Sequence, residues 1–200
     1  MRGAGHQNDP WCPGCGAPRS LQPGESLRGI PLVAIGVYEG ALARAVCRLK
    51  YDSCPALARP LALELVPRLR DAGIGRGCVI APVPLHPRRL VERGFNQSAL
   101  VARTLSSALG CSTRPRLLRR VRETRQQADL DQRARAQNAA GAFAAASAID
   151  SPIVLLDDVV TTGATAIACI EVLESMDMNV VAVASLARAA LQAAPLNSHS

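Results

Sequence analysis

The chain has 200 residues, a net charge of +7 and 48% hydrophobic residues, but only 2% aromatics. That length suits one medium α/β domain with extensions, whose core is built from Ala, Val, Leu and Ile. The composition excludes a disordered polyanion and a disulfide-framed miniprotein, and no run is long enough to cross a bilayer as a helix.

Of the 23 basic residues, 22 are arginine and Lys50 is the one lysine. A basic surface suits polyanions, and charge alone does not choose between nucleic acid and a multiply phosphorylated metabolite. Seven cysteines, an odd number with no secretory segment before them, point to reduced thiols and a cytoplasmic location.

In chain order, residues 1–31 are rich in Gly, Pro and polar residues and read as an irregular N-terminal appendage around Cys12-Pro-Gly-Cys15. Val33–Tyr38 is predicted to be a short strand, and Ala41–Lys50 has the apolar spacing of a helix with basic residues in its last turns. A second helix is predicted over Pro55–Ala72, with Pro60 and Pro67 blurring its limits. Cys78–Val83 reads as a buried strand stopped by Pro82 and Pro84, and a loop carrying Arg88, Arg89 and Arg93 follows. Asn96 is a suitable N-cap for a helix over Gln97–Leu109, closed by Gly110.

Arg116–Val121 is predicted as a strand, and residues 122–138 as an Arg-rich loop leading to a helix capped by Asp131. Ile153–Leu156 reads as the central strand, Ala164–Met176 as a helix and Val180–Leu186 as a further buried strand, before a frayed tail. This alternation predicts a doubly wound, mostly parallel sheet flanked by helices. Ligands of such sheets lie beyond the C-terminal strand ends, so the segments 82–93 and 157–165 should share one rim.

The segment Ile153-Val-Leu-Leu-Asp-Asp-Val-Val-Thr-Thr-Gly-Ala-Thr165 carries the most chemistry. Thr161, Thr162, Gly163, Ala164 and Thr165 offer backbone N–H groups, hydroxyls and a helix start, which together suit a phosphate. Asp157 and Asp158 are acceptors for the vicinal hydroxyls of a ribose, and carboxylates suit a site where Mg²⁺ bridges ribose and pyrophosphate. The bland alternative is a strand that ends in two acids before a capped helix. Arg88, Arg89 and Arg93 could hold pyrophosphate through bidentate guanidinium contacts, or be a solvated basic turn. Residues 114–135 hold eight arginines against three acidic residues and have no aromatic among them. A lid over a polyphosphate is favoured there over a nucleic-acid patch or a solvated face, because a stacking platform is missing. Gly94 and Gly141 are candidate hinges or simple turn residues.

The 153–165 segment resembles the PRPP-binding motif of type I phosphoribosyltransferases. Residues 82–97, Pro-Val-Pro-Leu-His-Pro-Arg-Arg-Leu-Val-Glu-Arg-Gly-Phe-Asn-Gln, closely resemble the signature of the ComF family, and Tyr38-Glu-Gly, Leu49-Lys-Tyr51 and Asn138 through Phe143 match its other landmarks. The resemblance covers about residues 37–188 and implies a type I phosphoribosyltransferase fold, with residues 1–36 as a degenerate zinc-ribbon remnant and 189–200 as a tail. It implies catalytic roles for Asp157, Asp158 and Arg88, ribose binding by Asp157 and Asp158, and 5′-phosphate binding by Thr161 through Thr165. It places Leu85, His86, Arg88 and Arg89 near pyrophosphate, and Arg122, Arg125 and Arg133 in a mobile loop that closes over the site.

The implied reaction is attack of a nucleophile on the anomeric carbon of PRPP, assisted by Mg²⁺, with pyrophosphate leaving. Positive charge developing on the ribose would be stabilised by the two carboxylates. In hypoxanthine-guanine phosphoribosyltransferases an aspartate stands where Thr161 stands here, so the resemblance weakens a 6-oxopurine acceptor. ComF relatives are linked to DNA uptake in competent bacteria and associate with a helicase. That implies an alternative, an accessory protein that senses PRPP or a nucleotide beside single-stranded DNA. Cys12 and Cys15 form half of a tetrahedral Zn²⁺ site, and no second pair precedes Tyr38. A homodimer that pools two such pairs would complete the site. An N-terminal nucleic-acid-binding ribbon is a third, weaker reading.

Overall fold

The computed structural model describes residues 18–21, 24–52, 54–121 and 141–190. Cys12, Cys15, Arg122, Arg125 and Arg133 lie outside them, as do the helix expected after Asp131 and the tail beyond residue 190. Eight strands, β1 (Ser26–Leu27), β2 (Ile30–Val37), β3 (Val79–Pro82), β4 (Ser112–Thr113), β5 (Leu118–Arg120), β6 (Phe143–Ala145), β7 (Ile153–Val160) and β8 (Val180–Arg188), are described. The helices are α1 (Gly40–Tyr51), α2 (Ala58–Asp71), α3 (Pro87–Arg93), α4 (Gln97–Leu109) and α5 (Ala164–Glu174), with a 3₁₀ turn over Pro55–Leu57 before α2.

Six strands form the main sheet in the order β1-β2-β8-β7-β3-β4. Every pairing from β2 to β4 is parallel, and β1 folds back antiparallel on β2. The expected doubly wound, mostly parallel sheet is therefore present. β5 and β6 pair antiparallel as a separate ribbon.

Side chains alternate across a strand with a period of two, and β7 shows what that does here. Val154 and Leu156 join the core beneath α1, α2 and α4, with Leu49, Leu65 and Leu105. Ile153 and Leu155 join the opposite core beneath α5 and the β5–β6 ribbon, with Ile170 and Phe143. Both layers exclude water from β7, which explains its uninterrupted apolar start.

Four expectations change. The central strand runs on through Val160 rather than ending at Leu156, because Asp157, Val159 and Val160 continue the ladder with Ser185, Ala187 and Arg188 of β8. The arginine loop after β3 contains a helix, α3. Pro87 starts it, His86 caps it by accepting the Arg88 N–H at 3.3 Å, and Gly94 at φ 78° ends it. The strand expected over Val33–Tyr38 starts earlier, at Ile30, and pairs with β8 over Leu32 to Val37. Pro31 is tolerated there because it faces the short edge strand β1. Finally, the strand expected over Arg116–Val121 is short and lies outside the main sheet.

Pro67 sits inside α2 without ending it. The N-cap at Asn96 is as expected: its Oδ1 accepts from the Ser98 and Ala99 N–H groups at 3.0 and 3.3 Å. Its Nδ2 also donates to the Val83 carbonyl at 3.0 Å, tying the helix start to the end of β3. Gly110 closes α4 at φ 69°. Among the described residues no helix is long and apolar enough to cross a membrane.

Candidate functional site

The chain leaves β3 through α4 toward β4 and leaves β7 through α5 toward β8, on opposite faces of the sheet. The C-terminal ends of β3 and β7 therefore flank a switch-point crevice, where open parallel sheets bind ligands. A cavity of about 320 Å³ occupies it. Its floor is Asp157, Asp158, Thr161 and Thr165, its wall on the β3 side includes Leu85, Arg89, Arg93 and Gln97, and Tyr38, Lys50, Tyr51 and Arg120 complete it. A shallow depression lined by Thr161, Gly163, Ala164 and Thr165 adjoins it and shares Asp157.

The two carboxylates are held differently. Asp158 follows Leu156 onto the α1 and α4 side, where the Lys50 ammonium meets its Oδ1 at 2.8 Å. Gln97 Nε2 donates to its Oδ2, and the Val159 N–H donates to Oδ1 at 2.6 Å. Asp157 accepts the Asp158 N–H on Oδ1 at 2.8 Å, and its Oδ2 has no hydrogen-bond partner among the described residues. Burial first, and the Asp158 charge second, push the Asp157 carboxyl up to about 7, against the pull of Lys50, the Asp158 N–H and Arg120.

The Thr-Gly turn is built by Gly163 at φ 83°, which begins α5. Thr162 Oγ1 accepts the Ala164 N–H at 3.3 Å. A Cβ on Gly163 would stand 2.6 Å from Leu27 Cδ2, so the β1–β2 hairpin packs directly on this turn. Arg188 reinforces the same corner: its Nε meets Glu25 Oε2 at 3.0 Å and its Nη1 donates to the Val160 carbonyl at 3.4 Å.

Across the crevice, Arg93 lies 5.4 Å from the centre of the Tyr51 ring and donates to Gln97 Oε1 at 2.8 Å. Arg120 lies 5.2 Å from the centre of the Phe143 ring. Burial, with the like charge of Arg89 added, lowers the Arg120 pKa. The structure thus brings Asp157, Asp158, Thr161, Thr165, Leu85 and Arg89 to one cavity, with Gly163 and Ala164 in the adjoining depression. Thr162 holds the turn, His86 caps α3, and Arg88 stands at 3.4 Å from Glu92 on the exposed side of that helix.

Lys50, Gln97, Tyr38, Tyr51 and Arg120 received no site role from sequence reasoning. The signal for Lys50 was its being the one lysine among 23 basic residues. Among the described residues no three His, Cys, Asp or Glu side chains converge as a metal cage. With Asp158 engaged on both oxygens, Asp157 is the carboxylate that could help hold a Mg²⁺ arriving with a phosphorylated ligand, where the ion would supply charge neutralisation.

An acidic pair, a Thr-Thr-Gly-Ala-Thr turn and an arginine wall at one switch point define a doubly wound α/β protein of the arrangement expected for type I phosphoribosyltransferases. No family model matches the chain. It is 37% identical over 166 residues to the DNA utilization protein YhgH of Salmonella typhi, covering 77% of this chain and 73% of that protein. The YhgH of Escherichia coli K12 is 36% identical over the same shares. Competence protein F of Haemophilus influenzae is 32% identical over 195 residues, 90% of this chain and 85% of that one. The chain belongs to the ComF family, together with these relatives.

Among solved structures it is similar to Leishmania donovani UMP synthase and adenine phosphoribosyltransferase, each at 19% identity, with TM-scores of 0.42 and 0.41. These cover 72% and 71% of this chain but only 24% and 56% of those proteins, and at such scores the likeness carries no argument about ligand or activity.

Proposed function

We propose that the crevice binds PRPP together with Mg²⁺ and transfers its phosphoribosyl group to an acceptor, releasing pyrophosphate. The observation that carries this reading is Asp157, with its Oδ2 uncommitted among the described residues, on a strand that ends directly in the Thr161–Thr165 turn. The backbone N–H groups and hydroxyls of that turn would receive the 5′-phosphate. Asp157 would accept hydrogen bonds from the ribose hydroxyls, and Arg89 and Arg93 would face the pyrophosphate. Mg²⁺, when bound with the ligand, supplies charge neutralisation for the leaving group. Asp157 and Asp158 would add electrostatic stabilisation as positive charge develops on the ribose. No side chain is required to act as a nucleophile.

Calorimetry with PRPP and Mg²⁺, and pyrophosphate release across a panel of bases, amines and sugar phosphates, test this. Asp157→Ala should abolish binding. Undiminished binding by that variant would sink the assignment of the site, whereas tight binding without turnover on any acceptor would leave a PRPP sensor.

The second reading is that sensor, acting in DNA uptake with a competence helicase and single-stranded DNA in the cytoplasm. The names of the relatives, DNA utilization protein and competence protein F, favour it, together with the net charge of +7. Direct DNA binding would rest mostly on phosphate contacts and fall steeply with salt. Absence of binding to single-stranded DNA at low salt would remove that role from this chain alone.

A further inference from the structure

The two aspartates are adjacent in an unbroken strand, so the alternation of side chains sends them to opposite faces of the sheet. One face brings Lys50 from α1 and Gln97 from α4, and both reach Asp158. The Lys50 and Asp158 side chains are only 16% and 9% exposed, so this is a largely desolvated pair rather than a surface contact. With the Val159 N–H added, Asp158 has three donors on two oxygens. Among the described residues Asp157 has one, from the backbone.

We infer that the acidic pair is functionally asymmetric: Lys50, with Gln97, locks Asp158 as a fixed internal charge partner, so that Asp157 alone is the ligand-accepting carboxylate and Lys50 is a positioning residue for it. This rests on the proposed PRPP reading for its ligand, but its internal geometry stands without one. Two like charges in one desolvated crevice oppose each other, and the ammonium on Asp158 offsets that opposition. Lys50 therefore holds Asp158 in place and leaves Asp157 as the carboxylate open to a ligand. Among the described residues, the charged and titratable groups around Asp157 are Asp158 beside it on β7, Lys50 from α1, Arg120 from β5 and the Cys169 thiol from α5. Arginine would not substitute freely at position 50, since its planar fork has a different reach from a point ammonium.

The test has two independent arms. In ligand-free crystals, Lys50→Met should let the Asp158 carboxylate turn away from its place beside Gln97, while Asp157 keeps the Asp158 N–H on its Oδ1. An unmoved Asp158 carboxylate overturns the inference. If that variant does not fold, an unmoved Asp158 carboxylate in Lys50→Gln does so equally.

In the second arm, calorimetry with PRPP and Mg²⁺ should show at least a tenfold loss for Lys50→Met. The double variant should bind no more weakly than Asp158→Asn alone, because Lys50 acts through Asp158. Additive losses would make Lys50 a direct ligand contact and overturn the positioning role. Wild-type protein that binds no PRPP would defeat the proposed function, while the crystallographic arm would still decide the asymmetry.

Discussion

Asp157 carries an energetic cost whose sign can be followed with pH. Its carboxyl is raised from 3.8 to about 7 on folding, so the folded state holds this proton more tightly than the unfolded chain. The penalty is absent below pH 3.8, grows as pH rises to about 7 and is complete above it. A shift of that size corresponds to roughly 4 kcal/mol, and partial exposure in the crevice reduces it to about 2 kcal/mol. Asp157→Asn should therefore stabilise the protein by about 2 kcal/mol at pH 8 and have no effect at pH 3.5, measured by urea denaturation. Equal stabilisation at both pH values would contradict this origin. Gly163 is the second residue with a readable consequence. Gly163→Ala places a Cβ against Leu27 in a left-handed conformation, which should cost about 1–3 kcal/mol in a thermal melt. Leu27→Ala in the same chain should restore part of that loss by removing the contact while leaving the backbone strain.

At the scale of elements, α4 is held at its start by one side chain with two duties. Asn96 caps the helix and ties it to Val83, and the next two residues, Gln97 and Ser98, line the cavity. Asn96→Ala should lower stability by about 1–2 kcal/mol and weaken PRPP binding, whereas Asn96→Asp keeps the cap and loses only the Val83 tie. Chemical denaturation and calorimetry on the two variants separate these effects. This helix was legible in the sequence because its cap, its apolar spacing and its closing glycine all agree. The Thr161–Thr165 turn was legible because its hydroxyls, its glycine and a helix start fall together. The extent of β7 was not, because charge reads as the end of a buried strand, whereas here Lys50 and Gln97 compensate it from elements distant in the chain. Helix α3 was hidden by a run of prolines and arginines that resembles a loop, although Pro87 at its first position suits a helix start.

For the whole molecule, the hairpin before residue 38 belongs to the folded unit. Ile35 lies in the core beneath α1 and α2, Leu27 packs on the Gly163 turn, and Arg28 reaches Glu171 and Glu174 of α5 at 2.8 and 3.4 Å. A fragment starting at Tyr38 should lose near-UV circular dichroism and resolved NMR spectra, while one starting at Pro18 should keep both. A native spectrum from the shorter fragment would show that β2 is dispensable. The strand was legible from Val33 onward, but its start at Ile30 was not, since Pro31 interrupts the pattern there. The place of β8 has a further consequence, in the order of synthesis. It lies between β2 and β7 in space but follows both in the chain. During translation β2 must wait for nearly all the intervening chain, a delay on the order of ten seconds, with an unpaired apolar edge. Such edges recruit other strands, so the nascent protein is most exposed to aggregation just before Val180–Arg188 emerges and closes the sheet.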